Sequence, residues 1–500
     1  MTFHKRLPRF VFILVVCLFS TRAVRSQTRG VENGNRYDTL VIRNVVIIDG
    51  KGTPPRGPMD VVLRHNKIAS VTSPKSADNY KSEAHVLDGT GMYVLPGFIN
   101  NHVHTHDERA GVPMPLDYCY KLWLACGITT VRDVGSNEEK IVIEREKSKQ
   151  GQIAAPRIFI YMREQPIGET PEEAREQIRA IKDRGGDGVK LSGLRDRDVF
   201  QAAMDEANKL GLRVAHDHKV NESDAWDDIA FGTTSIEHWY GIPDAALDGS
   251  QNFPYWYSYN NEYDRFGYAG HLWREADPEK LDKVLQGMVD NHVAWVPTFV
   301  IYEANRDLLR AMNQPWYQDY LHPVLADYFE PNPDNHGSYA WNWTTEDEVF
   351  WRENYKLWMK AVRDFGKKGG IVGMGDDAGF IYQMYGFAFI REFELHQEAG
   401  FHPIDVIMHA TGNNAKILGM EDQLGRVRKN YLADLVVIDK NPLQNFKYLY
   451  PTGTLALEDG KMVRAGGVKW TIKDGIVYHA PTMLEDVKKM VDAARKATDR

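Results

Sequence analysis

Cysteine is nearly absent from this chain, with three in 500 residues. Cys17 lies inside an apolar N-terminal run. Cys119 and Cys126 fall seven apart on what reads as one helix, too distant to bridge. With no disulfide framework available, a large hydrophobic core must hold the fold. Basic tracts are missing too. The formal net charge is −8, which argues against a nucleic-acid partner. No glycine-rich phosphate loop follows any predicted strand, which counts against a doubly wound nucleotide-binding sheet. Nor is the apolar run at residues 10–19 long enough to span a bilayer comfortably.

That run instead has the form of an export signal. Lys5, Arg6 and Arg9 precede it as a charged lead, and cleavage is expected near residues 23–27. The expectation is a signal segment over residues 1–26, a secreted or periplasmic mature chain, and no membrane contact beyond that segment. The whole chain is 43% hydrophobic and 26% charged, the composition of a soluble globular protein.

Both ends of the mature chain are β-rich. Residues 39–49, 60–71 and 85–87 read as strands, with Asn66 in a hairpin-type turn. Residues 433–439 and 468–478 read the same way, with a turn at Lys473-Asp474-Gly475, and LVVIDKNP echoes VVIIDGKG. This predicts one small β-sandwich built from residues 27–92 and 421–480 together. An amphipathic helix from Thr482, box-capped by Glu485, closes the chain over 481–500 and is expected to pack on the β domain or a neighbouring subunit.

The middle, residues 93–420, alternates short apolar runs with helical patterns, the signature of βα units. Strands are predicted at 94–101, 129–134, 157–162, 187–192, 213–218, 235–239, 294–300 and 371–377. Thr170-Pro171-Glu172-Glu173 opens one of the helices with a capping box. The fold class is α/β, and eight such units close naturally into a (β/α)8 barrel. Two connections, 242–277 and 303–345, exceed what the barrel requires and are crowded with Trp and Tyr. Long ordered connections are usually functional, and these are expected to cover the site.

In a barrel, function collects at the C-terminal ends of the strands. Strand 1 ends in His102-Val103-His104, and alternation sends both imidazoles to one side. Strand 4 carries Lys190, strand 5 ends His216-Asp217-His218, strand 6 ends Glu237-His238, and strand 8 ends Gly375-Asp376-Asp377. Imidazole and carboxylate without thiolate suit a divalent metal able to activate water. A lysine among them repels a metal as an ammonium. Buried and neutral, it can add carbon dioxide, and the resulting carbamate has two oxygens with which to bridge two metals.

These segments carry a family likeness. VLDGTGMYVLPGFINNHVH, LWLACGITTVRDVG, GGDGVKLS, SIEH, GMGDDAG and HATGNNAKILGMEDQLGRVRKNYLADLVVIDKNPL together span most of residues 40–440. In them the chain resembles the amidohydrolase superfamily, specifically its imidazolonepropionase-like and prolidase-like branch. The resemblance implies two divalent metal ions, with zinc the expected metal. One would be held by His102, His104 and Asp377, and the second by His216 and His238. Carboxylated Lys190 would bridge them. Asp377 would take a proton from a metal-bridging hydroxide as it attacks, then pass it to the leaving amine.

Four positions depart from the family's pattern. Asn100 stands where the family usually has Asp. Asp376 stands where Thr is usual, so it competes with Asp377. His218 competes with His216, and Trp239 and Tyr240 replace small residues after His238. The expected activity is hydrolysis of an amide in a dipeptide or N-acyl amino acid, by a homo-oligomer acting on a small-molecule substrate. A lactonase or organophosphate hydrolase stays open, since it uses nearly the same metal pair. A mononuclear deaminase or cyclic-imide hydrolase is disfavoured by Lys190. A binding protein without catalysis fits poorly, because no ligand position is degraded. Arg163, His106, Tyr240 and His409 are candidate pocket residues.

Overall fold

The computed structural model describes residue 1, residues 30–76, 80, 84–163, 168–193, 196–218, 223–249, 255–258, 261–332, 334–338 and 343–498. The expected export signal, apart from Met1, lies outside the described residues, as does part of each aromatic-rich connection.

Seven strands pair in parallel and in chain order: Phe98–Val103, Ile128–Asp133, Arg157–Arg163, Gly188–Ser192, Arg213–Asp217, Ser235–Glu237 and Ala294–Val296. They are buried on both faces, which is why they read as short continuous apolar runs rather than as clean alternation. The predicted eighth strand is reduced to a bridge between Val372 and Trp295. Backbone bonds on both flanks nevertheless close the ring. Gly373 N–H donates to Trp295 O on one side, and Asn101 N–H to Met374 O and Asp377 N–H to His102 O on the other. Gly375 permits this approach, since a methyl group there would lie 2.5 Å from His102 Cβ.

The predicted strand at 94–101 proves to be two. Tyr93–Pro96 pairs antiparallel with Leu435–Ile438 in the terminal domain, and the barrel begins at Phe98. Gly97 makes the break, where a side chain would collide with Thr129. The boundary was hidden because both pieces are buried, so nothing in the polarity of the run marks it.

The terminal domain draws on both ends of the chain, as expected. Its nine strands form one hydrogen-bonded sheet that includes Thr39–Ile47, Arg56–Arg64 and Lys67–Thr72 from one end and Leu435–Ile438, Val468–Lys473 and Ile476–His479 from the other. The sheet divides at Thr39–Ile47. Its first half pairs with His85–Asp88 and its second half with Tyr93–Pro96. Ile42, Val61, Val94 and Val437 lie in a core separate from that of the barrel.

The Thr170 capping box forms as predicted. The closing helix, Ala480–Thr498, runs straight out of its strand, so Thr482 sits inside the first turn, 2.9 Å from His479 Nδ1. It packs on the barrel helix Leu116–Ala125 as well as on the sheet, tied by Lys121–Asp486 at 3.2 Å. Cys119 and Cys126 are buried, unpaired thiols. Among the described residues, no helix is long and apolar enough to cross a membrane.

Candidate metal centre

The C-terminal ends of the strands surround a cavity of about 300 Å³. His102, His104, Lys190, Asp217, His238 and Asp377 all reach it. Alternation explains the first pair, because His102 and His104 leave strand 1 on the same side. His238 and Asp377 adopt left-handed backbone conformations, with φ of 57° and 49°. Such conformations are costly for non-glycine residues and cluster where a side chain must be aimed.

Asp377 is the hub. Its Oδ1 lies 3.1 Å from His104 Nε2 and 3.8 Å from His102 Nε2, and its Oδ2 lies 3.7 Å from His238 Nε2. Burial raises the pKa of this carboxyl, but the His104 hydrogen bond and the nearby His104 and His238 charges outweigh burial and hold it below the ordinary value. Each histidine is gripped from behind through Nδ1. His102 meets Glu237 Oε2 at 2.6 Å, His104 meets Gly135 O at 2.7 Å, and His238 meets Thr298 Oγ1 at 2.5 Å. With Nδ1 engaged, Nε2 faces the cavity in every case. That is the arrangement a metal-ligating imidazole needs.

The donor set fits a divalent cation. Ligand atoms of His102, His104 and Asp377 lie within 4.8 Å of one another. Lys190 Nζ is buried without a hydrogen-bond partner. Burial lowers the Lys190 pKa against the opposing pull of Asp217 and Glu237, the direction that favours a nucleophilic neutral amine.

A buried lattice underlies the centre. Glu237 Oε1 accepts from Arg132 Nη2 at 2.7 Å and from Ser235 Oγ at 2.6 Å. Arg132 also donates to Asn101 O and lies over the Tyr161 ring. Neither Glu237 nor Arg132 was singled out from sequence, although Glu237 directly precedes His238. Asn100 Oδ1 accepts from the backbone N–H groups of His102 and Asp376, stitching strand 1 to strand 8. The Asp376 carboxyl does not line the cavity; it is buried beside Asn100, and burial raises its pKa to about 7. Of the two candidate aspartates, only Asp377 reaches the site.

Strand 5 departs from expectation. Lys190 registers beside Ala215 and Ser192 beside Asp217, so these four side chains share the inner face. His216 registers beside Leu191 and points outward, with its ring 4.5 Å from Phe200. Asp228, on the helix Ala225–Phe231, captures it there. Asp228 Oδ1 lies 2.9 Å from His216 Nδ1, and Oδ2 pairs with His218 Nε2. His216 and His218 thus belong to a buried cluster behind the barrel wall, outside the cavity. Asp217 takes the inner position predicted for His216.

Arg163, His106 and Tyr240 line the cavity, with Tyr302 from the turn after strand 7, His336 from the second long connection and Phe380 from the segment after strand 8. His409 does not, being packed against His396 and Phe401 instead. Trp239 is fully buried and stacks on Tyr240 at 4.2 Å, which fixes Tyr240 in the wall.

Residues 356–492 match the Amidohydrolase family. A dihydroorotase from Solibacter usitatus (strain Ellin6076) is 30% identical over 227 residues, 42% of this chain and 49% of that protein. The chain spans half or less of the length of the curated relatives it matches. Among solved structures, a Xaa-Pro dipeptidase with bound methionine in its active site superposes with a TM-score of 0.61 at 20% identity, covering 88% of this chain and 100% of the other. A bottromycin amidohydrolase superposes with a TM-score of 0.63 at 16% identity, covering 92% of each chain. The family match is confined to residues 356–492, and the likeness to the solved structures is one of fold.

Proposed function

We propose that this protein is an amidohydrolase that cleaves an amide bond in a dipeptide or N-acyl amino acid, with two divalent metal ions in the barrel mouth. One observation carries the reading: three imidazoles, a partnerless buried lysine and Asp377 converge on one cavity at the catalytic end of the strands. The reaction class is the one named in matched relatives, dihydroorotase and Xaa-Pro dipeptidase.

His102, His104 and Asp377 would hold one ion, and His238 and Lys190 would reach the second. When bound, the metals supply an acidified water and a Lewis acid for the carbonyl. Lys190 joins them after its neutral amine adds carbon dioxide, forming a nitrogen–carbon bond and releasing one proton. Asp377 accepts a proton from the attacking water and returns it to the departing amine. Arg163 offers a cation to a free carboxylate, and Tyr240, Tyr302 and Phe380 give the substrate apolar walls. A cavity of about 300 Å³ is at the small end of ligand pockets and suits a substrate of dipeptide size. Export belongs to the same proposal, supported by Lys5, Arg6 and Arg9 ahead of the N-terminal apolar run.

The test is a metal count and a substrate panel. About two ions per chain, amide hydrolysis, and a ~10–100-fold rise in KM for free carboxylates on Arg163→Ala are expected, in line with loss of a charge-assisted contact. Turnover of lactones or phosphotriesters alone would overturn the amide assignment. A single ion that survives Lys190→Ala would overturn the two-metal one.

A further inference from the structure

The inner face of strand 5 ends in a carboxylate where the two-metal reading calls for a ligand. Asp217 lines the cavity together with Lys190, His238 and Asp377. Its position is fixed from both sides of the strand. Inside, it registers beside Ser192, two residues beyond Lys190. Outside, Asp228 holds both neighbours, His216 and His218, so the strand cannot turn its histidines inward without breaking two buried pairs. Asp217 therefore opens onto the same cavity as Lys190 and His238, the two groups assigned to the second ion.

We propose that Asp217 is a direct ligand of that second ion, alongside His238 and the Lys190 side chain. The inference rests on the two-metal reading. Its consequence is chemical. A carboxylate and a carbamate with a single imidazole make this half of the centre oxygen-rich, and oxygen donors suit harder cations such as Mn²⁺ better than imidazole does. Zn²⁺ still benefits from its general affinity advantage over Mn²⁺, so the signature is a narrowed preference between them. A histidine at 217 would widen it.

The experiment uses the full chain, stripped with chelator and reloaded with Zn²⁺ or Mn²⁺ in bicarbonate buffer. Ions per chain are counted after gel filtration, and the weaker site's affinity is measured by chelator competition. Thermal unfolding of each metal-free variant checks the fold. Wild type and His216→Asn are expected to hold two ions. The isosteric Asp217→Asn is expected to hold one, or to bind the second at least ~10–100-fold more weakly, the range seen when even an outer partner of a ligand is lost. Asp217→His should hold two, with the Zn²⁺ to Mn²⁺ affinity ratio at the weaker site raised about tenfold or more. Two ions retained with full affinity by Asp217→Asn, or one lost by His216→Asn, would overturn this assignment and leave the two-metal reading standing. A single ion in the wild type would overturn both.

Discussion

Replacing Glu237 by Gln changes one buried oxygen to nitrogen and should disturb both stability and metal affinity. Glu237 and Arg132 are both fully buried, 2.7 Å apart. The substitution keeps the shape but leaves the Arg132 charge uncompensated. Removing one partner of a buried ion pair costs about 3–5 kcal/mol. The second effect follows from which way the new amide must face. Arg132 Nη2 and Ser235 Oγ both donate to Glu237 Oε1, so the Gln oxygen has to stay there. Its NH2 then points at His102 Nδ1, 2.6 Å away in the native protein. An NH2 donates, so His102 Nδ1 must accept, and the ring proton moves to Nε2. That nitrogen faces Asp377 and can no longer ligate. Metal affinity should fall by ~10–100-fold, as for other lost partners of ligating histidines. Thermal unfolding of the metal-free protein reads the first effect, and chelator competition reads the second. The double variant Arg132→Met, Glu237→Gln removes the stranded charge and frees the amide to turn over, so it should recover part of both. Wild-type metal affinity in Glu237→Gln, with stability unchanged within about 1 kcal/mol, would refute the reasoning.

Asp377→Asn should lower turnover by ~10²–10⁴-fold or more while preserving the fold, as expected when a group that moves the proton is lost. Asp376→Asn should keep turnover. Because burial raises the Asp376 pKa to about 7, the unfolded chain ionises first and native stability falls as pH rises from about 4 towards 7. The Asn variant should therefore gain on wild type across that window in denaturant melts of metal-free protein; an acid-side gain instead would reverse the sign. Asp228→Asn works the other way. Burial raises the Asp228 pKa, but His218 and His216 outweigh it and hold the carboxyl far below its ordinary range. Its stabilisation is complete above about pH 4 and is lost as pH falls further. The variant should be destabilised by about 3–5 kcal/mol at pH 7, with the gap closing in acid, as followed by far-UV circular dichroism.

The barrel was legible because eight apolar runs alternate with helical patterns, and the mixed terminal domain was legible because its two halves share strand-like patterning. HxH, the strand-4 lysine and the strand-8 aspartate were legible because each sits at the end of a recognisable run. Sequence left the choice between Asp376 and Asp377 open. The tertiary structure decided it through Asn100, which holds the backbone N–H groups of His102 and Asp376 on one side-chain oxygen.

Other features required partners distant in sequence. Glu237 gains its meaning from Arg132 and His102, brought together only when the barrel closes and strand 6 meets strands 1 and 2 across its interior. The boundary at Gly97 is invisible in a run buried throughout. Strand 5 shows the division most clearly. By itself the sequence determined that the segment ends in His-Asp-His and belongs at the C-terminal end of a barrel strand. It did not decide which of the three faces inward, because a one-residue change of phase on a strand exchanges its faces. Tertiary packing decided it. Val214 and His216 go to the helices, Asp228 holds the histidines there, and Asp217 is left at the mouth of the barrel.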